Sequence, residues 1–262
     1  MRDLDVVIGG GQVGSTVYEI LKRVIPVAIV DLDKEKQKLP DTKEFVSKFR
    51  KKVEIRMLHI CIPFTDQDKF IETVSQYIKD YDPQVVVIHS TVQRGTTAKL
   101  SKDISVPIIY SATRGVHARF MEDMEYYTKF WASTSTDRKT INIFRQGMAD
   151  VGFKLKQMST PDTLELAKLL TDTTYYGVLI SYAQKTKVIC DQHGIDYDEM
   201  WQFAEEGHSK LGNRPKMFPG FIGGHCVIPN LYLLDDDVYD KFKYIEEHNN
   251  FYKEWMEKQK DD

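Results

Sequence analysis

Cysteine is scarce in this 262-residue chain: Cys61, Cys190 and Cys226 lie far apart and form no C-x-x-C pair. That spacing argues against a disulfide framework and against a structural zinc site, so no metal is expected. Long apolar runs are missing as well. No stretch approaches the roughly 18 residues of a membrane span, and the N-terminus runs directly into a strand pattern rather than a leader. A soluble, cytoplasmic protein is expected. Excess charge of either sign is also absent. With 36 Lys and Arg against 39 Asp and Glu the formal net charge is −3, which offers no general field for nucleic acid or a membrane surface. What remains is 42% hydrophobic and 11% aromatic content, which suits a well-cored globular chain of one large or two modest domains.

The first half reads as a dinucleotide domain. Asp3–Ile8 is a short apolar run ending in glycines and predicts a buried strand. Gly9-Gly10-Gly11-Gln12-Val13-Gly14 follows, then a helical stretch Ser15–Lys22 and a second strand Pro26–Val30 ending in Asp31. Gly9 permits the tight turn, Gly11 lets a pyrophosphate approach the backbone, and Gly14 allows close helix–strand packing. An anion is favoured at such a helix N-terminus by unpaired N–H groups and the helix dipole. Asp31 stands 17 residues beyond Gly14, where an acid can bind the adenosine ribose, and with no arginine beside it NAD is preferred over NADP.

Further strands are expected at Met57–Ile62, Val85–His89, Val106–Tyr110 and Lys129–Ser133, with a helix from about Asp66 to Asp80. The alternation implies a mostly parallel, Rossmann-like α/β sheet whose ligands gather at the carboxyl ends of the strands. Those ends carry Pro63, Ser90 and Thr91, and Arg114 with His117 and Arg119. Arginine forks suit a carboxylate or phosphate, although a solvated loop would read the same way. Thr96 and Thr97 are either part of this edge or caps for the helix that follows.

After Lys154–Gln157 the pattern becomes helical, giving a dinucleotide domain over 1–158 and a helical domain over 159–262. Asp162–His193 reads as one long central helix, broken only by Gly177; at ~30 residues it would span ~45 Å. Its apolar positions exceed what a small domain can cover, so a homodimer through this helix is expected. Another helix is expected over Tyr197–Gly207, and the charged tail after Asp235 reads as a solvated helix that frays. Between them lies Phe218-Pro219-Gly220-Phe221-Ile222-Gly223-Gly224-His225-Cys226. Gly223 and Gly224 give the backbone freedom beside Cys226. A thiolate there can hold a carbonyl covalently, but a cysteine is also a common buried packing residue.

Four segments together make the chain resemble the nucleotide-sugar dehydrogenases, the family of UDP-glucose 6-dehydrogenase and UDP-N-acetylmannosamine dehydrogenase. They are G-G-G-Q-V-G with Asp31, S-T-V-Q-R-G-T-T (Ser90–Thr97), E-L-A-K-L-L-T-D (Glu165–Asp172) and F-P-G-F-I-G-G-H-C (Phe218–Cys226), in the family's order. The resemblance implies two NAD-dependent oxidations of a primary alcohol to a carboxylate in a small-molecule substrate. It assigns the nucleophile to Cys226, the active-site lysine to Lys168 and the water-positioning threonine to Thr91. The chain also departs from the pattern. The asparagine four residues after the lysine is Asp172, and the aspartate four residues after the cysteine is Asn230. The glutamate of an N-P-E-F-L segment falls near Thr113, and 36 residues follow Cys226 where the family continues into a second nucleotide-binding domain. Asp172 is expected to take the acid–base role and Asn230 to supply the oxyanion hydrogen bond beside Lys168. Two other readings remain: a two-electron β-hydroxyacid-type dehydrogenase, in which Arg114 and His117 hold substrate and Cys226 is incidental, and a non-catalytic NAD-binding subunit.

Overall fold

A computed structural model describes residues 4–37, 54–213 and 215–261. It contains two compact units, residues 1–168 and 169–262. The first is a doubly wound α/β unit. Seven strands lie in the order β2-β1-β3-β4-β5-β6-β7: β1 Leu4–Ile8, β2 Val27–Val30, β3 Ile55–Ile60, β4 Val85–Ile88, β5 Ile108–Tyr110, β6 Lys129–Ser133 and β7 Leu155–Gln157. β1 through β5 pair in parallel. Their side chains are buried on both faces, as a sheet covered by helices on both sides requires.

One face packs on α1 (Gln12–Leu21) and α5 (Arg138–Asp150), with Val17, Ile20, Phe144 and Met148 in its core. The other packs on α2 (Gln67–Tyr81), α3 (Thr96–Leu100) and α6 (Pro161–Ala167), with Phe70, Val74, Leu100 and Leu164. α6 thus packs with the sheet unit, although the sequence groups it with the second region.

Two expectations shift. β3 begins and ends two residues before the expected Met57–Ile62: pairing with β1 already starts at Ile55, opposite Leu4, and its last bond is from Cys61 N to Ile8 O at 2.8 Å. β6 runs antiparallel to β5. Its connection holds a 3-10 turn (His117–Arg119) and the short helix α4 (Phe120–Tyr126), without the long crossover helix that usually returns a chain to a parallel strand. β6 therefore starts beside the end of β5, where Lys129 Nζ donates to Ser111 O at 3.0 Å. Asp3, the expected first strand residue, lies outside the described residues.

The sheet also buries a polar row that the sequence did not suggest. Arg56 holds Asp5 with Nε and Nη2 at 2.9 and 2.8 Å. His59 lies 3.3 Å from Asp5 and 2.9 Å from His89 through its two ring nitrogens. Burial alone would raise the Asp5 carboxyl, but the His59 and Arg56 contacts hold it below the usual carboxylate value.

The second unit is helical: α7 (Tyr175–Gln192), α8 (Tyr197–Leu211), the short α9 (Ile228–Leu231), α10 (Asp236–Phe242) and α11 (Tyr244–Asp261). Its core gathers Leu169, Ile180, Ile222, Val227, Leu231, Leu234 and Ile245. The long helical stretch is not broken at Gly177. Gly177 lies inside α7, where a Cβ would meet Val227 Cγ1 at 2.8 Å and Ile245 Cγ2 at 3.2 Å. The irregularity falls earlier, in a π-helical segment Lys168–Thr174. Thr173 there donates its hydroxyl to Leu169 O at 2.8 Å, the kind of side-chain competition that loosens a helix. Nor is the tail a solvated helix: Ile245, Asn249 and Tyr252, at helical spacing, are buried.

Candidate functional site

The glycine loop connects β1 to α1, and its three motif glycines, Gly9, Gly11 and Gly14, behave differently. Gly9 has φ +98°, and a Cβ there would lie 2.7 Å from Cys61 O. A Cβ on Gly14 would lie 1.7 Å from Gly9 O, so side chains at these two positions are excluded by backbone. Gly11 is exposed and has nothing within 4 Å of a Cβ position. It is the N-cap of α1, and no side chain caps that N-terminus. Gln12 is exposed and Val13 half-buried against the core. The combination is a tight turn closed from below and open from above, which fits a phosphate approaching a helix N-terminus. Asp31 stands at the end of β2. Its Oδ2 accepts from Gly10 N at 2.5 Å and its Oδ1 from Asp33 N at 2.8 Å, which sets the carboxylate beside the glycine loop. Each oxygen keeps a further lone pair for a ribose hydroxyl.

The same carboxyl edge continues across β3 and β4. Pro63 is exposed and Thr91 half-buried. Ser90 is buried, and its hydroxyl donates to Ile62 O at 2.6 Å, which ties the two strand ends together. Thr96 and Thr97 do not cap α3. The N-cap is Gly95, at φ 84°, and Thr96 donates to Gln93 O at 2.7 Å. The cap comes from elsewhere: the Glu165 carboxylate accepts from Gly95 N at 2.6 Å, Thr97 N at 2.9 Å and Thr97 Oγ1 at 2.6 Å. Glu165 is fully buried, and burial raises its pKa against the opposing effect of these hydrogen bonds. It joins the Ser90–Thr97 segment to the helix that leads into Lys168. Nothing local in the sequence signals that role beyond a lone acid on an otherwise apolar helix face.

The arginines beyond β5 are already engaged. Arg114 donates to Thr128 O at 2.8 Å and lies 5.1 Å from both the Tyr127 and Phe130 ring centroids. Arg119 pairs with Asp123 at 3.1 Å. His117 opens a 3-10 turn, His117–Arg119, and its side chain lies outside the described ones.

The three cysteines of the sequence separate by environment. Cys61 and Cys190 are buried, whereas Cys226 is exposed, along with Gly223, Gly224 and His225. The packing role for Cys226 is thereby removed. Its neighbours Ile222 and Val227 anchor the loop in the core with Leu169, and Gly224 takes φ +73°. Three distant polar side chains hold the backbone in place. Asn249 accepts from Ile222 N at 2.8 Å and donates to Ile222 O at 3.0 Å. Gln184 donates to Gly220 O at 2.8 Å, and Tyr252 OH to Pro219 O. Asn230 turns its amide back onto Cys226 O at 2.7 Å. Lys168 and Asp172, both half-buried, lie within the π-helical segment, a distortion frequent at functional positions.

Among the described residues no helix is long and apolar enough to cross a membrane, and no cluster of His, Cys, Asp and Glu is arranged to hold a metal ion. No family model matches the chain, and no curated protein matches it in sequence. Solved structures do match. The UDP-D-ManNAc dehydrogenase of Pyrococcus horikoshii aligns with a TM-score of 0.71 at 16% identity over 94% of this chain and 68% of its own. The UDP-N-acetyl-mannosamine dehydrogenase of Staphylococcus aureus aligns at 0.69 and 16% identity, over 98% and 70%. The 3-hydroxyisobutyrate dehydrogenase of Mycobacterium tuberculosis, solved with L-serine, aligns at 0.67 and 12% identity, over 97% and 94%. The chain therefore has the Rossmann-like dehydrogenase fold that these proteins share.

Proposed function

We propose that this protein is an NAD-dependent oxidoreductase acting on an alcohol group of a small sugar-like or nucleotide-sugar-like substrate. The observation that supports it best is the β1–α1 glycine loop, closed at Gly9 and Gly14, open at Gly11 and flanked by Asp31. Gly9, Gly11, Gln12, Val13 and Gly14 would hold the pyrophosphate and Asp31 the ribose, with Pro63, Ser90 and Thr91 along the same edge. NAD bound there supplies a hydride acceptor. The exposed Cys226 thiolate is the group that adds to a carbonyl carbon, its S–C bond forming as the carbonyl π pair moves onto oxygen. By resemblance, Lys168 steadies that developing negative charge, Thr91 orders water and Asp172 serves as acid–base. Asn230, bonded to Cys226 O, fixes the thiol-bearing turn, and Gly223 and Gly224 leave room for substrate.

A second reading has its own support. The match to 3-hydroxyisobutyrate dehydrogenase spans nearly all of both chains, which favours a two-electron hydroxyacid dehydrogenase that does not need Cys226. Calorimetric titration with NAD and NADP comes first: tighter NAD binding, weakened by Asp31→Ala, is expected, and equal or tighter NADP binding sinks the cofactor assignment. NADH production from candidate alcohols then separates the chemistries. Covalent catalysis requires Cys226→Ala to be inactive, hydroxyacid oxidation tolerates that change, and a non-catalytic subunit makes no NADH.

We also propose a homodimer through α7. Tyr175, Tyr182 and Ile189, seven residues apart and so on one helix face, are each more than half exposed. Sedimentation at micromolar concentration is expected to give a dimer, and a monomer refutes it.

A further inference from the structure

At the turn between β5 and β6 a small cavity of about 20 Å³ is lined by Thr113, Arg114, Thr128, Lys129 and Phe153, among others. Two basic residues, Lys129 and Arg114, line it, and neither has a carboxylate partner among the described residues. Lys129 is only 6% exposed; its Nζ donates to Ser111 O at 3.0 Å and lies 5.6 Å from the Phe153 ring centroid. An ammonium carries three donors, and one of them is accounted for by Ser111. Arg114 spends one of its five donors on Thr128 O and otherwise lies against the Tyr127 and Phe130 rings.

A buried cation without a counter-charge is costly, and no described residue around Lys129 supplies one. Burial holds the Cys61 thiol protonated, its pKa pushed up to about 12. Burial likewise holds His89 neutral, well below the ordinary histidine value, with Lys129 and His59 adding to the effect. Arg114 contributes a second positive charge. Burial consequently drives Lys129 down to about 7, with Cys61 opposing and Arg114 reinforcing the shift.

We propose that this cavity binds one small monovalent anion, of chloride to formate size, held between the Lys129 ammonium and the Arg114 guanidinium. A water-sized site needs about 10–15 Å³, so the space admits such an ion. The apolar and aromatic walls lower the local dielectric and strengthen the attraction. The inference does not depend on the oxidoreductase reading.

The pH dependence follows from the sign of the Lys129 shift. Its folded value lies below the ordinary 10.5, so the unfolded chain takes up this proton first. Stability of the anion-free protein therefore falls as pH drops from about 10.5 toward 7. An anion in the cavity opposes that loss, and does so where Lys129 is protonated.

The test is thermal unfolding of the full chain in sodium chloride, sodium formate or sodium gluconate at equal ionic strength, at pH 6 and pH 9. Chloride and formate are expected to raise Tm at pH 6 by about 3 °C when present about tenfold above Kd, with no difference from gluconate at pH 9. A response to chloride without formate marks a halide site, and the reverse a carboxylate site; both support the proposal. Lys129→Met abolishes the response and Arg114→Gln weakens it. A bromide-soaked crystal is expected to show an anomalous peak within contact of Lys129 Nζ. Equal Tm in all three salts at pH 6, an undiminished response in Lys129→Met, or no bromide at Lys129 overturns it. Should Lys129→Met not fold, Arg114→Gln and the bromide soak still decide.

Discussion

The two glycine-rich loops of this protein are built on opposite principles. The Gly9–Gly14 loop is held by its own backbone: a Cβ at Gly14 would stand 1.7 Å from Gly9 O, so neighbours within one motif determine the shape. The Phe218–Cys226 loop has no such backbone closure: a Cβ at Gly220 would meet the exposed Phe218 ring at 2.8 Å, a side chain that can move aside. Cβ positions at Gly223 and Gly224 meet nothing closer than 3.6 Å, and its path is set by Asn249, Gln184 and Tyr252, which lie between 27 and 36 residues away in sequence. A loop defined by local sterics tolerates no side chain at Gly9 or Gly14, whereas one defined by remote hydrogen bonds fails at residues outside its motif.

That contrast can be broken experimentally, and the largest effect is expected at Gly14. Gly14→Ala drives a methyl into backbone that cannot yield, which should cost more than about 3 kcal/mol and abolish NAD binding. A denaturant midpoint close to that of the parent protein would contradict the local-steric account. Asn249→Ala comes next. It leaves the buried N–H and C=O of Ile222 without partners, at about 1–3 kcal/mol each, and should speed thiol-reagent labelling of Cys226. An unchanged labelling rate with unchanged stability would show that the remote clamp does not hold the loop.

Glu165→Gln tests the same idea on the Ser90–Thr97 segment, with an expected loss of about 1–2 kcal/mol near neutral pH from weaker capping. The Glu165 pKa is raised on folding, so its linkage contribution is fully present below the ordinary 4.5 and is lost as pH rises through the folded value. The glutamine variant should lack that decline, and stability–pH curves that run parallel would count against it. Gly11→Ala has the smallest expected effect on stability, within about 0.5 kcal/mol, because its Cβ position is open and its φ of −68° suits alanine. On the proposed cofactor assignment, NAD affinity should nonetheless drop at least tenfold, since the methyl would stand where the pyrophosphate is proposed to approach. Unchanged affinity would remove Gly11 from the cofactor site.

The parts visible in the sequence were those whose physics is local. The strand–glycine–helix–strand–acid order placed Gly9, Gly11, Gly14 and Asp31 together as expected, because each interacts within one β-α-β unit. Capping of α3 was not legible for the opposite reason: Thr96 and Thr97 satisfy the local pattern for a cap, one of the two readings left open for them, but the carboxylate that wins comes from Glu165. The tail misled through composition. A helix rich in charge hid Ile245, Asn249 and Tyr252 at one face, which joins the helical core and clamps the Cys226 loop.

By itself, then, the sequence determined the α/β class, the cofactor-type turn and the exceptional character of the cysteine segment, since turn sterics and hydrophobic periodicity act over a few residues. Tertiary structure alone decided the antiparallel turn of β6, the π-helical distortion that carries Lys168 and Asp172, and the exposure of Cys226 while Cys61 and Cys190 are buried. It also decided the pairing of Lys129 with Arg114 around one cavity. Each of these depends on which distant groups meet across the fold, and burial and hydrogen-bond satisfaction have no fixed spacing along the chain from which they can be read.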